Sequence, residues 1–224
     1  MGMTTSGNTK TTTAMAIFTT VIAGVMLGAW LSNNPAKNSV DIPELLSEPR
    51  PLTTVTLTTH KNSPLNLKSL SGKWSFLFFG YTNCPDVCPT TLSELNSTHQ
   101  QLSADPTITK SGVLNDTQFI FISVDPERDT PKYLADYITY FNDSFIAATG
   151  TKEQLTNITT QFGIKHSRGD ETLDGYLVNH SSAVMLVNPQ NQYYARFKAP
   201  HYSEVVKKQY VAIRKYYSST QNTP

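Results

Sequence analysis

Two apolar runs without charge lie in the middle of the chain, and each has the length of a buried strand. The first runs from Trp74 to Phe79, and the second, QFIFISV, runs from Gln118 to Val124. Between them, apolar residues recur at helical spacing behind Pro89, at Leu92 and Leu95 and then at Leu102. A strand, a helix and a second strand in this order are typical of two parallel strands joined by a crossover helix.

The elements that follow continue the alternation of strands and helices. Thr130 and Pro131 are typical of a helix start, because threonine caps well and proline suits the first helical position. Thr151 and Gln154 have the spacing of a capping box at the start of another helix. The other predicted elements are strands over 53–59, 145–148, 182–187 and 193–198, a loop over 105–115, a polar hairpin or loop over 163–176, and a closing helix over 202–217. This order predicts an α/β domain with an inserted β-hairpin.

The segment 14–31 near the N-terminus carries no charge and ends close to Trp30. As a helix it would extend about 27 Å, which is enough to cross the core of a bilayer. We interpret it as a single uncleaved membrane anchor; a cleaved signal peptide and a buried helix are the alternatives. Lys10 precedes the segment and Lys37 follows it, which mildly favours an N-terminus in the cytoplasm and a domain outside it.

The remaining boundaries follow from composition. We expect a short tail over 1–13, the anchor over 14–31, a proline-rich linker without regular structure over 32–51, the folded domain over 52–217 and a tail over 218–224. The net charge of +1 gives no basic surface for nucleic acid. Two cysteines are too few for a secreted scaffold held by disulfides.

Both cysteines, Cys84 and Cys88, lie where the first apolar strand ends and the first helix begins. Ligands collect at the carboxyl ends of strands in α/β sheets, and the start of a helix stabilises thiolates. Residues four apart on a helical turn share a face, so the two thiols can form a bridge or bind one soft metal ion. A disulfide closing so short a loop would remove little chain entropy, so a reactive or metal-binding pair is the preferred interpretation.

Three motifs together give a more specific indication: GYTNCPDVCPTT, SVDPERDTP and VNHSSAVMLV. They resemble the Sco family of copper-binding assembly proteins, and the resemblance covers essentially the whole domain and the anchor. It implies a thioredoxin-like fold and a copper site, for Cu(I) or Cu(II), formed by Cys84, Cys88 and His180. It also implies delivery of copper to the copper-receiving subunit of cytochrome c oxidase, with other copper chaperones or thiol reductants as further partners. A location on a bacterial inner membrane, facing the periplasm, is then expected.

A second function remains open, because the same cysteines could act as a redox pair. A thiol-disulfide oxidoreductase would use Cys84 and Cys88 on the cysteines of a copper-receiving partner. Such an enzyme does not need His180, and its usual spacing is C-x-x-C, so the metal-binding interpretation is preferred. A peroxiredoxin is a weaker third alternative, because the residues around Cys84 lack its arrangement. The family often has aspartate where this chain has Asn179, which is expected to alter metal affinity or partner contact.

The other histidines are expected to be less important. His60 and His99 are predicted to be surface residues, while His166 and His201 are weaker ligand candidates.

Among the carboxylates, Asp86 is expected to accept backbone hydrogen bonds in the turn between the thiols. Asp125 is expected to stabilise a turn, with orientation of a site residue or contact with a partner as the alternative. The segment 127–129 is expected to form a local ion-pair and capping network.

Overall fold

In a computed structural model of the protein, the structure describes Met26 and residues 45–172 and 175–221. The chain divides into two units, Met1–Asp41 and Ile42–Pro224, and the elements below belong to the second. The predicted anchor over 14–31 lies outside the described residues, apart from Met26. Within the described ranges, no helix is both long enough and apolar enough to cross a membrane.

The described residues form a mixed α/β fold. Its strands are β1 (Leu45–Pro51), β2 (Leu57–Thr59), β3 (Pro64–Leu65), β4 (Trp74–Gly80), β5 (Thr117–Ser123), β6 (Ile146–Thr149), β7 (Ser167–Thr172), β8 (Gly175–Asn179), β9 (Val184–Val187) and β10 (Gln192–Phe197). Its helices are α1 (Leu67–Leu70), α2 (Val87–Ala104), α3 (Pro106–Lys110), α4 (Pro131–Phe141), α5 (Lys152–Gln161) and α6 (Ser203–Gln221).

The main sheet has the strand order β1-β10-β9-β4-β5-β6-β2-β3. Strands β4, β5 and β6 are parallel, as the strand–helix–strand pattern predicted, and β9 pairs with β4 in the antiparallel direction. All seven residues of β4 are buried, which explains why this segment is apolar on both faces. Helix α2 buries Cys88, Leu92, Leu95 and Leu102 on one face and packs against α6.

The predicted helix starts are confirmed. Thr130 accepts a hydrogen bond from the N–H of Tyr133, with Pro131 as the first residue of α4. Thr151 and Gln154 form the capping box of α5 through hydrogen bonds in both directions. The polar segment before His180 contains a hairpin, β7–β8, which forms a separate two-stranded sheet among the described residues.

Three predictions about the secondary structure were wrong. The strand expected over 53–59 forms only at Leu57–Thr59, and the loop expected over 105–115 contains α3. The linker expected over 32–51 contains β1, which pairs with β10. Proline is tolerated there because β1 is at the edge of the sheet, where an absent N–H costs no ladder hydrogen bond.

Candidate metal centre

The two thiols are placed by the junction between β4 and α2. Cys84 lies in the loop and is partly exposed, whereas Cys88 lies in the first turn of α2 and is fully buried. Gly80, the last residue of β4, allows this close packing. A Cβ atom at Gly80 would lie 2.7 Å from Sγ of Cys88 and 2.8 Å from a ring carbon of Phe121. The junction therefore requires a residue without a side chain at this position.

His180 completes a group of three sulfur and nitrogen atoms. Its Nε2 lies 3.5 Å from Sγ of Cys88, and the ligand atoms of Cys84, Cys88 and His180 all lie within 4.8 Å of one another. Three atoms about 2.2 Å from a common ion, in a plane, would be separated by roughly 3.8 Å. The spacing therefore suits one ion bound by three ligands, and two thiolates with an imidazole are a soft donor set that suits copper. The structure brings together the three residues named from the sequence.

The orientation of the His180 ring is set by its surroundings. Nδ1 lies 2.9 Å from the carbonyl oxygen of Ser181, a distance at which Nδ1–H donates to that oxygen. In the neutral ring this leaves the lone pair on Nε2, which faces the thiols. The rings of Phe78 and Tyr81 meet the imidazole edge to face, with centroids 6.2 Å and 5.7 Å away.

The two thiols have opposite acid–base character. The pKa of Cys84 is lowered to about 3, chiefly by the hydrogen bond from Cys88 and also by the backbone N–H groups of Asp86 and Cys88, while burial acts in the opposite direction. The N–H of Cys88 lies 3.4 Å from Sγ of Cys84. The pKa of Cys88 is raised, because its thiol proton is held in the side-chain hydrogen bond to Cys84 and the side chain is buried. The site thus pairs one partly exposed thiolate with one buried thiol.

The cysteine loop is fixed by a buried carboxylate from the loop after β5. Asp129 accepts hydrogen bonds from the backbone N–H of Thr82 at 2.9 Å, the hydroxyl of Thr82 at 2.5 Å and the hydroxyl of Ser123 at 2.5 Å. Burial raises the pKa of Asp129, while these hydrogen bonds act in the opposite direction. The local network expected over 127–129 therefore also extends across the sheet edge to the residues before Cys84.

The turn predicted for Asp125 is observed, whereas the hydrogen bonds predicted for Asp86 are not. Asp125 stabilises the predicted turn, because its carbonyl oxygen accepts from the N–H groups of Arg128 and Asp129. Its side chain also contacts Arg128 and the hydroxyl of Tyr176, so it is connected to the hairpin that precedes His180. The prediction for Asp86 was wrong, because its side chain makes no capping hydrogen bond at the start of α2.

The remaining histidines lie outside the group of three. The prediction that His60 is on the surface was wrong: it is buried, and its Nδ1 lies near the backbone of Ala147. His99 is partly buried between Phe119 and Phe145.

The two weaker ligand candidates have other contacts. His166 contacts the hydroxyl of Thr159 and lines, with His180, a cavity of about 780 Å³. His201 is buried, and its Nε2 donates to the carbonyl oxygen of Ser182 at 2.7 Å. The side chain of Asn179 is outside the described part of the structure.

Sequence reasoning missed Gly80, Thr82 and Tyr176. A glycine that ends a buried strand just before a reactive pair is a signal for close packing, so Gly80 could have been found. The partners of Thr82 and Tyr176 lie 47 and 51 residues away in the chain, and nothing local indicates them.

A family model described as SCO1/SenC matches residues 49–215. A protein from Stutzerimonas stutzeri is 36% identical over 156 residues, which cover 70% of this chain and 73% of that protein. The mouse protein named SCO2 homolog, mitochondrial, is 34% identical over 148 residues, which cover 64% of this chain and 55% of the mouse protein. The chain therefore spans about half the length of that mitochondrial relative.

The fold also matches solved structures. A crystal structure of Arabidopsis thaliana ScoI with copper bound gives a TM-score of 0.67 at 27% identity, covering 73% of this chain and 97% of that chain. This likeness confirms the thioredoxin-like α/β fold that the sequence predicted. Because the match to the family model extends from β1 to α6, through nearly all of the folded unit, the chain belongs to the SCO1/SenC family.

Proposed function

We propose that this protein is a copper metallochaperone that binds one copper ion through Cys84, Cys88 and His180. The observation that supports this most is the convergence of the three ligand atoms within 4.8 Å. Copper present in the related Arabidopsis structure supports the choice of metal. Cu(I) prefers thiolates and accepts a three-coordinate site, and an imidazole also suits Cu(II).

The site also has a feature expected of a carrier. Cys84 is partly exposed, while Cys88 is buried, so an incoming ligand from a partner can approach on the Cys84 side. The recipient we propose is the copper-receiving subunit of cytochrome c oxidase, as the family resemblance implies. The segment 14–31 would anchor the chain in a membrane, with the domain on the non-cytoplasmic face; for a bacterial protein this is the inner membrane, facing the periplasm.

The direct test is the copper content of the purified full-length chain, measured with and without a reductant. We expect one copper per chain when the thiols are reduced, and none when Cys84 and Cys88 are joined in a disulfide, because the thiolate ligands that copper needs are then absent. Less than one tenth of an equivalent of copper in the reduced protein would refute the proposal.

A thiol-disulfide oxidoreductase is the second candidate, and the unequal thiols favour it. A thiolate at Cys84 could attack a disulfide of the partner, and Cys88 could then resolve the mixed disulfide. The partner would gain two electrons as two thiols, and Cys84 and Cys88 would be left oxidised as a disulfide.

The substitution His180→Ala separates the two functions. It removes a copper ligand but leaves the cysteines able to exchange. In cells that lack the native protein, the chaperone proposal expects this variant to fail to restore cytochrome c oxidase activity at limiting copper. Full restoration by a stably expressed variant without copper would favour the oxidoreductase.

A further inference from the structure

The main sheet holds His180 from one side only, because β9 begins four residues after it. His180 directly follows β8, and within the described residues β8 pairs only with β7, in a sheet of its own. No ladder hydrogen bond of the main sheet therefore reaches the strand that precedes the histidine. The distance between His180 and the thiols depends on the short link to β9 and on side chains that hold the hairpin against the domain.

Tyr176, on β8, makes several of these contacts. Its hydroxyl donates to Oδ1 of Asp125 at 2.6 Å and lies 3.4 Å from Oε2 of Glu127. The guanidinium of Arg128 lies over the Tyr176 ring, 3.8 Å from its centroid, which is a close cation–π distance. Asp125 is only 3% exposed, so the hydroxyl of Tyr176 satisfies a buried carboxylate oxygen.

Arg128 connects this contact to the segment between β4 and Cys84, which contains Tyr81. Its Nε donates to Oδ2 of Asp125 at 2.5 Å, and its guanidinium lies 5.6 Å from the Tyr81 ring. Tyr81 in turn meets the His180 ring edge to face, with ring centroids 5.7 Å apart. Arg128 is therefore placed between two tyrosines, one on the strand that leads to His180 and one in contact with His180 itself.

We propose that Tyr176 and Arg128 are positioning residues that set the distance between His180 and the thiols, and thereby the copper affinity of the site. Neither residue provides a ligand atom to the group of three, so both act through the placement of β8. The effect on copper rests on the proposed function, whereas the effect on the hairpin does not.

The test compares Tyr176→Phe with Tyr133→Phe in the full-length protein. Tyr176→Phe keeps the ring over Arg128 but removes the hydroxyl from Asp125. Tyr133 is an exposed tyrosine of α4, so the control makes the same chemical change away from the hairpin. Arg128→Lys is the second variant, since lysine keeps the charge but loses the planar stacking group. Far-ultraviolet circular dichroism verifies that each variant is folded.

The first measurement needs no copper. We expect backbone amides of residues 175–179 to exchange with deuterium at least tenfold faster in Tyr176→Phe than in Tyr133→Phe, while amides of β4 and β5 exchange at the parent rate. Equal exchange of residues 175–179 in both variants would overturn the proposal. If the parent protein bound no copper, the proposed function would fail, but these rates would still decide whether Tyr176 holds the hairpin.

The second measurement is copper binding by competition with a chromophoric chelator. Groups that orient a ligand typically change metal affinity by roughly 10–100-fold when they are replaced. We expect a loss in that range for Tyr176→Phe and Arg128→Lys, and none for Tyr133→Phe. Nitrogen hyperfine coupling in the Cu(II) form should weaken in the two hairpin variants, which a general loss of stability would not cause. Parent affinity with unchanged nitrogen coupling in both variants would overturn the proposal.

Discussion

The close packing at Gly80 gives a prediction whose size follows from the structure. In Gly80→Ala, the new Cβ would lie 2.7 Å from Sγ of Cys88, whereas ordinary contact begins at 3.4 Å. The sulfur or the strand must therefore move by about 0.7 Å, and metal sites tolerate deviations of only about 0.2 Å in their distances. Overpacking in a core costs about 1–3 kcal/mol of unfolding free energy. For a domain of this size, each kcal/mol lowers the melting temperature by about 2–4 °C.

The matched control is Gly72→Ala. Gly72 has a φ of +76°, and a Cβ there would meet nothing within 4 Å. Alanine at that position is strained by about 1–2 kcal/mol through the backbone alone. Both variants should therefore lose stability in thermal unfolding.

Only Gly80→Ala should also lose copper affinity, by about tenfold or more, which corresponds to about 1.4 kcal/mol. A competition assay with a chromophoric chelator measures the affinities of the folded proteins side by side. Parent copper affinity in Gly80→Ala would show that the sulfur position does not depend on this contact, and the reasoning would be refuted.

Three further predictions concern the site and the anchor. Alanine in place of Cys84, Cys88 or His180 should each abolish stoichiometric copper binding, while His166→Ala should leave it intact; retained copper with an unchanged spectrum in His180→Ala would remove that residue from the site. Because the pKa of Cys84 is lowered to about 3 from an ordinary 9.0, its alkylation by iodoacetamide should be nearly independent of pH between these values and faster than that of Cys88; a rate that rises tenfold per pH unit would contradict the lowered pKa. The intact chain should resist carbonate extraction from membranes and a chain lacking residues 1–34 should be soluble; a mature N-terminus near residue 31 would indicate a cleaved signal peptide instead.

The sequence predicted most of what local patterns can encode. The buried strands β4 and β5 and the capped helices α4 and α5 were found because apolar runs and capping residues act over a few positions. The three residues of the site came from motifs, and the fold brings their ligand atoms together.

The sequence did not predict contacts that depend on the packed structure. Pro49 and Pro51 suggested a linker, because only the sheet order reveals that β1 is an edge strand. His60 has no local sign of burial, and it is covered by the backbone of β6 from 87 residues away. The contacts of Asp129 with Thr82 and of Asp125 with Tyr176 join segments that are far apart in the chain and meet only in the folded domain.

The two edges of the main sheet bear on how the protein avoids self-association. β1 contains Pro49 and Pro51, and β3 at the opposite edge consists of two residues and begins with Pro64. Prolines and very short strands give an additional strand few N–H groups with which to pair. Between these edges, β4 is seven consecutive buried residues without charge, a segment of the kind that forms intermolecular β-structure when it is exposed. The protein can therefore keep an aggregation-prone strand at the centre of the sheet, because a strand of another copy cannot readily pair with either edge.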